Sequence, residues 1–270
     1  MTSENEREEN RQQVPVVAVI LAAGEGTRFD PDQPKQLVSV GKRAVIDWAI
    51  RAFESNAQVS DVVVVVNSTV RGSVERIVEH EKYTKLRLIV NGGKERADSV
   101  LEAINALRSA GIPAQAKLII HDAVRPFVSQ TTITQCVDEL DTYHAVVVAE
   151  PSADSIMTTR DSGDRKVVNA VLPREGVMRV QTPQAFRFGT IVSAYVAAVA
   201  DPQFNAEGEV PGGDTGVVSR YLPDEEIGIV AGSDDTMAIV TVHDLAAAED
   251  IAKAEALSTV RSMIGKMGNA

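Results

Sequence analysis

The sequence predicts an α/β fold, a mainly parallel sheet covered by helices. Three observations carry this: strand-like and helix-like segments alternate, the strand-like runs are continuously apolar, and short polar turns join them. Val16 to Ala22 is an unbroken apolar run ended by a Gly-containing turn, as a buried parallel strand requires. Ala44 to Ser55 has helical spacing, with Val45, Trp48, Ala49, Ala52 and Phe53 on one face. Asp61 to Asn67 contains five valines in succession, Val62 to Val66, and reads as a strand buried on both faces. Val70 to His80 is polar with apolar residues at helical intervals. Leu86 to Val90 is a third strand, followed by a Gly-Gly turn and a helix over about Ala97 to Ala110. Lys117 to His121 gives a fourth strand, Gln130 to Asp141 a helix, and Ala145 to Ala149 a fifth strand. The arrangement is Rossmann-like, and ligands of such sheets bind beyond the carboxyl ends of the strands.

The alternation breaks between Pro151 and Gln181. There Ser155 to Arg160 and Arg165 to Val171 flank the turn sequence Asp161-Ser162-Gly163-Asp164, which predicts a β-hairpin arm projecting from the sheet. Apolar residues on such an arm need a cover, and a second subunit supplies it most simply. The expectation is therefore a homodimer. Asn205 to Asp214 reads as a Gly- and Glu-rich loop, and Val242 to Leu257 as a closing Ala-rich helix. Residues 1–14 are expected to be a disordered tail and 15–270 one domain, with the arm at about 151–181.

Composition narrows the function classes. An apolar fraction of 44% fits a soluble globular protein, and no run approaches the length of a membrane helix. The polar N-terminus lacks the apolar core of a signal peptide, so a cytoplasmic location with no membrane partner is expected. The formal charge of −11 argues against a nucleic-acid partner. It leaves room for a small phosphorylated substrate, which needs only a few cations gathered locally. The single Cys136 sits in an amphipathic stretch and reads as buried and inert.

Those cations follow the first strand. Leu21-Ala22-Ala23-Gly24-Glu25-Gly26-Thr27-Arg28 precedes Pro34-Lys35-Gln36. A glycine turn there lets backbone N–H groups approach phosphates, and Arg28 and Lys35 could both face a triphosphate. Gly-x-Gly alone is weak, because turns use glycine for conformation alone. The added Arg and Pro-Lys-Gln sharpen it, and the missing Gly-Lys-Ser/Thr ending excludes a Walker loop. Further motifs are Gly-Gly-x-Glu-Arg-Ala-Asp-Ser at 92–99, His-Asp-Ala-Val-Arg-Pro at 121–126 and Gln-Thr-Pro-Gln-Ala-Phe at 181–186.

Taken together, from about Val16 to Ile251, these motifs resemble the 2-C-methyl-D-erythritol 4-phosphate cytidylyltransferases of the nucleotidyltransferase superfamily. The resemblance implies CTP and a polyol phosphate as substrates, with Mg²⁺ as cofactor. It implies that Arg28 and Lys35 are the catalytic cations beside the α-phosphate, and that Ala22, Ala23, Gly24, Gly26, Gly93, Ser99 and Asp122 hold the nucleotide. Asp122 is also the expected Mg²⁺ carboxylate, with a structural role in its loop as the other reading. Asp154, Ser155 and Arg174 on the arm match positions that hold the polyol phosphate across the dimer. Thr182 either bonds the same substrate or starts the following helix. Arg96 either pairs with phosphate or caps local structure. Arg125 is expected in a structural ion pair and His121 at a strand end without a catalytic part.

Two departures from the family pattern stand out. Ala238 occupies the place of a lysine usual shortly before the last strand's end, and Gly213-Asp214-Thr215 replaces a Thr-Asp-Glu/Asp loop, keeping only the Asp. Ribitol 5-phosphate cytidylyltransferases share nearly every motif, and a diverged paralogue without turnover is a third reading. The retained Arg28, Lys35, Asp122 and Arg174 oppose the last.

Overall fold

The computed structural model describes residues 14–26, 29, 33–207 and 210–267, and side chains outside 205–209 and 258–267. The sequence-predicted tail therefore lies outside the described residues except for Val14, as does Arg28.

The chain runs through β1 (Val16–Ala22), β2 (Ser39–Val40), β3 (Arg43–Ala44), α1 (Val45–Glu54), β4 (Asp61–Val66), α2 (Ser68–Glu81) and β5 (Leu86–Asn91). It continues with α3 (Arg96–Ser109), β6 (Lys117–Asp122), α4 (Gln130–Glu139), β7 (Ala145–Pro151), β8 (Met157–Ser162), β9 (Arg165–Val171) and β10 (Met178–Arg187). The last elements are α5 (Phe188–Ala200), α6 (Pro202–Glu207), α7 (Asp214–Tyr221), β11 (Ile227–Ala231) and α8 (Asp244–Met267).

Seven strands form one sheet in the order β11-β7-β10-β6-β1-β4-β5. All neighbours are parallel except β10, which runs antiparallel to both β6 and β7. The valine-rich strands are buried on both faces because successive side chains serve opposite cores. Ala18, Ile20, Val62, Val64 and Ile119 meet α1, α2 and α4. Val17, Val19, Val63, Val65 and Ile120 meet α3, α5 and α7. Each fully buried Val or Ile contributes roughly 1.5–3 kcal/mol of transfer free energy, so the center of the sheet is strongly held. A smaller cluster seats α8 on β2, with Val40, Ile239, Ala248 and Ala252 buried together.

Four sequence expectations need correction. The stretch 205–214 is not all loop: α6 reaches Glu207 and α7 begins at Asp214, because Phe204 buries an aromatic face against Tyr195 and Tyr221. Thr182 starts no helix. It sits inside β10, where the register shifts between Val180 and Gln184, and the next helix begins at Phe188. The first arm strand begins at Met157, not Ser155, and the turn is tighter, with Gly163 and Asp164 between the strands and Gly163 at φ 62°. Ala238 lies beyond the last strand, past a single 3₁₀ turn at Asp234–Thr236.

Candidate active site

Register sets the floor of the site. Ala22 pairs with Val66, Val66 with Asn91, and Leu21 with Asp122, so four neighbouring parallel strands end on one edge. The segments that leave this edge are then tied to it. Gly92 N donates to Val66 O at 2.8 Å and Ala123 N to Leu21 O at 2.9 Å. Asn67, which caps α2 by accepting from Thr69 N and Val70 N, also donates to Ala23 O at 2.8 Å.

The loop after β1 is folded onto the Pro34-Lys35-Gln36 segment. The Gln36 side chain is buried and donates to both Ala22 O and Gly24 O at 2.7 Å. Gly26, at φ 69°, has the Lys35 stem against it: a Cβ there would lie 3.3 Å from Lys35 Cγ. Lys35 is thereby brought beside the glycine turn, half-buried. Gly24 faces open space. On the other side, a Cβ on Gly92 would stand 2.5 Å from Ala23 Cβ and 2.6 Å from Ser99 Oγ. Ala23 and Ser99 both close on Gly92, and only glycine permits that approach. Gly93 leads into α3, where Asp98 accepts from Glu95 N at 3.0 Å. Ser99 itself is buried and its hydroxyl donates to Glu95 O at 3.2 Å.

Asp122 ends β6 between two guanidiniums. Arg96 Nε lies 3.3 Å from Oδ1 and Arg125 Nε 3.9 Å from Oδ2. Burial opposes its ionisation, yet Arg96 and then Arg125 outweigh it and hold the carboxyl below its ordinary value. Arg125 Nη1 donates to Thr236 O at 2.8 Å, in keeping with a structural ion-pair partner. Arg96 is likewise committed to carboxylates, with Nη1 2.8 Å from Asp214 Oδ2.

His121 is fully buried against Phe53. Its Nε2–H donates to Arg125 O at 2.9 Å, which leaves Nδ1 to accept from the Thr182 hydroxyl at 3.1 Å. That hydroxyl in turn accepts from Asp122 N at 3.1 Å. Burial pushes the imidazole pKa down to about 4, so it is neutral at physiological pH and holds the strand end. Beside these groups opens a cavity of about 450 Å³, lined by Arg96, Asp122, Arg125, Gln181, Thr182 and Gln184 among others.

The structure thus brings together Ala22, Ala23, Gly24, Gly26, Lys35, Gly93, Ser99, Asp122 and Thr182 at one edge of the sheet. Asp154, Ser155 and Arg174 are not brought there. All three are exposed on the arm, and none lines the cavity. Sequence reasoning missed Asn67, Gln184 and Tyr195. Asn67 was findable, since it directly follows a buried strand and precedes a helix. Gln184 stands within the 181–186 motif, which did not reveal its partners, and Tyr195 carries no local signal.

The chain matches the family model of 2-C-methyl-D-erythritol 4-phosphate cytidylyltransferase over residues 16–254. The chain belongs to this family. Within the family, it is 53% identical over 242 residues to the 2-C-methyl-D-erythritol 4-phosphate cytidylyltransferase of Bifidobacterium longum (strain DJO10A), covering 90% of this chain and 81% of that one. A bifunctional ribulose 5-phosphate reductase/CDP-ribitol pyrophosphorylase of Haemophilus influenzae is 32% identical, over 92% of this chain but half of its own length. Among solved structures, 4-diphosphocytidyl-2C-methyl-D-erythritol synthase from Anaerococcus prevotii superposes with a TM-score of 0.75 at 25% identity, covering 90% of this chain and all of that one. Like its family, the chain is an enzyme of the nucleotidyltransferase class. Among the described residues no helix is long and apolar enough to cross a membrane.

Proposed function

We propose that this chain joins CTP to 2-C-methyl-D-erythritol 4-phosphate, giving 4-diphosphocytidyl-2-C-methyl-D-erythritol and pyrophosphate, as a cytoplasmic homodimer in isoprenoid biosynthesis. The observation that carries this reading is the convergence of the glycine turn, Lys35, the 92–99 segment and Asp122 on one sheet edge, in a chain 53% identical to a relative of that name.

The reaction sets a clear electrostatic problem. An oxygen of the polyol phosphate attacks the α-phosphorus of CTP, the bond from that phosphorus to the bridging oxygen breaks, and pyrophosphate leaves with the electron pair. Two anions meet, so the groups that matter are those placed where charge gathers. Lys35, steadied along its stem by Gly26, is positioned to meet the α-phosphate, and Arg28 is assigned the same task from its place in the motif. Backbone N–H groups of the turn take the remaining phosphate oxygens. The contact of Ala23, Gly92 and Ser99 forms the wall against which a small pyrimidine rests. The cavity beside Asp122 accepts the polyol phosphate, with Thr182 on its wall. Asp154, Ser155 and Arg174 would reach that cavity from a second subunit.

The donor set suits Mg²⁺ that arrives with the nucleotide. Among the described residues, Asp122 Oδ2 makes no hydrogen bond and lies 3.9 Å from Arg125 Nε, and no group of three or more metal-ligating side chains occurs. Mg²⁺ commonly takes one or two carboxylates plus phosphate oxygens, so Asp122 alone would hold it. When bound, the metal would neutralise triphosphate charge.

The test is pyrophosphate release from CTP with each polyol phosphate in turn. Turnover with 2-C-methyl-D-erythritol 4-phosphate is expected to exceed that with ribitol 5-phosphate by at least an order of magnitude in kcat/KM. Preference for ribitol 5-phosphate would transfer the assignment to that substrate, and no turnover with either would favour a nucleotide-binding paralogue.

A further inference from the structure

A continuous chain of polar contacts runs from the core beneath α5 to the cavity. Asp214 is fully buried and its two oxygens are divided: Oδ1 accepts from the Tyr195 hydroxyl at 2.7 Å and Oδ2 from Arg96 Nη1 at 2.8 Å. Arg96 then reaches Asp122 Oδ1 through Nε at 3.3 Å. The four residues come from α5, α7, α3 and β6, elements remote in sequence. Arg96 Nη2 and Arg125 Nε are both buried without a hydrogen-bond partner among the described residues.

A buried carboxylate always needs partners, so this contact would arise if Asp214 merely anchored its loop. The loop, however, is anchored without it. Gln184 donates to Gly212 O at 3.1 Å and accepts from Thr215 N at 2.9 Å, and Thr215 Oγ1 donates to Gly212 O at 2.8 Å. What the charge of Asp214 does is balance a cluster. Asp214, Arg96, Asp122 and Arg125 sum to zero formal charge, and without Asp214 they sum to +1 beside Asp122.

We propose that Asp214, held by Tyr195, is a positioning residue that draws the Arg96 guanidinium toward itself and leaves the Asp122 carboxylate able to take a divalent cation brought by the nucleotide. This rests on the reading of Asp122 as the metal-facing carboxylate. Burial first, and Asp214 second, raise the Tyr195 hydroxyl well above its ordinary value, so it stays a neutral donor. Against burial, Asp214 and then Asp122 hold Arg96 charged. A guanidinium deprived of Asp214 has Asp122 as its remaining carboxylate, and it competes there with the metal.

The experiment measures three quantities in the full chain: Mn²⁺ binding to the CTP complex by the electron paramagnetic resonance of free Mn²⁺, CTP binding without metal by calorimetry, and thermal melting. Asp214→Asn is expected to weaken Mn²⁺ binding about tenfold, while metal-free CTP binds as well or better, because one net positive charge acts with opposite sign on cation and anion. Tyr195→Phe should shift Mn²⁺ binding the same way, by about twofold to threefold. Unchanged Mn²⁺ binding in a cooperatively melting Asp214→Asn protein overturns the proposal, as does equal weakening of CTP with and without metal. If Asp214→Asn does not fold, Tyr195→Phe decides by the same criterion. Asp122→Asn separates the two readings. If it leaves Mn²⁺ binding intact, the assignment of Asp122 fails and the proposal with it. If it weakens binding while Asp214→Asn does not, the positioning role alone is wrong.

Discussion

The carboxyl edge of the sheet and the hairpin arm hold two parts of one proposed site in opposite ways. At the edge, Ala22, Val66, Asn91 and Asp122 are fixed by strand register, and β1, β4 and β6 behind three of them are buried on both faces, with β5 as the half-buried outer strand. In the arm, β8 and β9 pair with each other and with no other strand among the described residues. The arm also leaves apolar side chains in water: Met157 is 53% exposed, Val168 55% and Val171 64%. A two-stranded ribbon alone is marginally stable. The described part of the edge is thus built by the register of one chain, while the arm exposes apolar side chains that no described residue of the chain covers.

Lys35→Ala is expected to lower kcat about a hundredfold or more with little change in the KM for CTP, because a cation meeting transition-state charge acts on rate. A raised KM at constant kcat would make Lys35 a ground-state binder. Next comes the arm. Mixing inactive Lys35→Ala subunits with inactive Arg174→Ala subunits should restore about a quarter of wild-type activity, since half the dimers are hybrids with one intact site of two. No recovery after verified subunit exchange would confine each site to its own chain.

A smaller effect concerns Ala238. The segment that carries it packs on the Asp122 loop, with Ile239 N donating to Val124 O at 2.8 Å and Thr236 O accepting from Arg125. Ala238→Lys should raise kcat/KM for CTP about tenfold if triphosphate charge is under-neutralised there. An unchanged or lower value in steady-state kinetics would indicate that a different cation already fills that place or that the segment lies away from the triphosphate. The smallest effect is expected in the core. Burial, with a lesser contribution from Glu139, pushes the Cys136 thiol up to about 12, so it stays protonated at pH 8. A disulfide reagent at that pH should label nothing in native protein and one thiol per chain in denaturant. Labelling of the native form would show that α4 opens.

Much of this molecule is legible without coordinates. Continuous apolar runs such as Val62–Val66 specify strands buried on both sides, and side-chain periodicity places the helices between them. The glycine turn, Pro34-Lys35-Gln36 and Asp122 stand directly after strands, so the general rule about carboxyl ends locates them. The segment beyond residue 172 was harder to read. Nothing local marks Met178–Arg187 as an antiparallel strand inserted between β6 and β7, because its neighbours lie far away in sequence. For the same reason the role of Tyr195 was invisible, and the motif at 181–186 marked Gln184 without showing what it holds. A buried hydroxyl or amide is chosen by the partner that folding brings to it, and Asp214 reaches Tyr195 only when α7 packs on α5. Sequence by itself determined the layers, the strand-end motifs and the family. The tertiary structure alone decided which charges share a site, since burial and distance, which set the strength of every ion pair, exist only once the chain is folded.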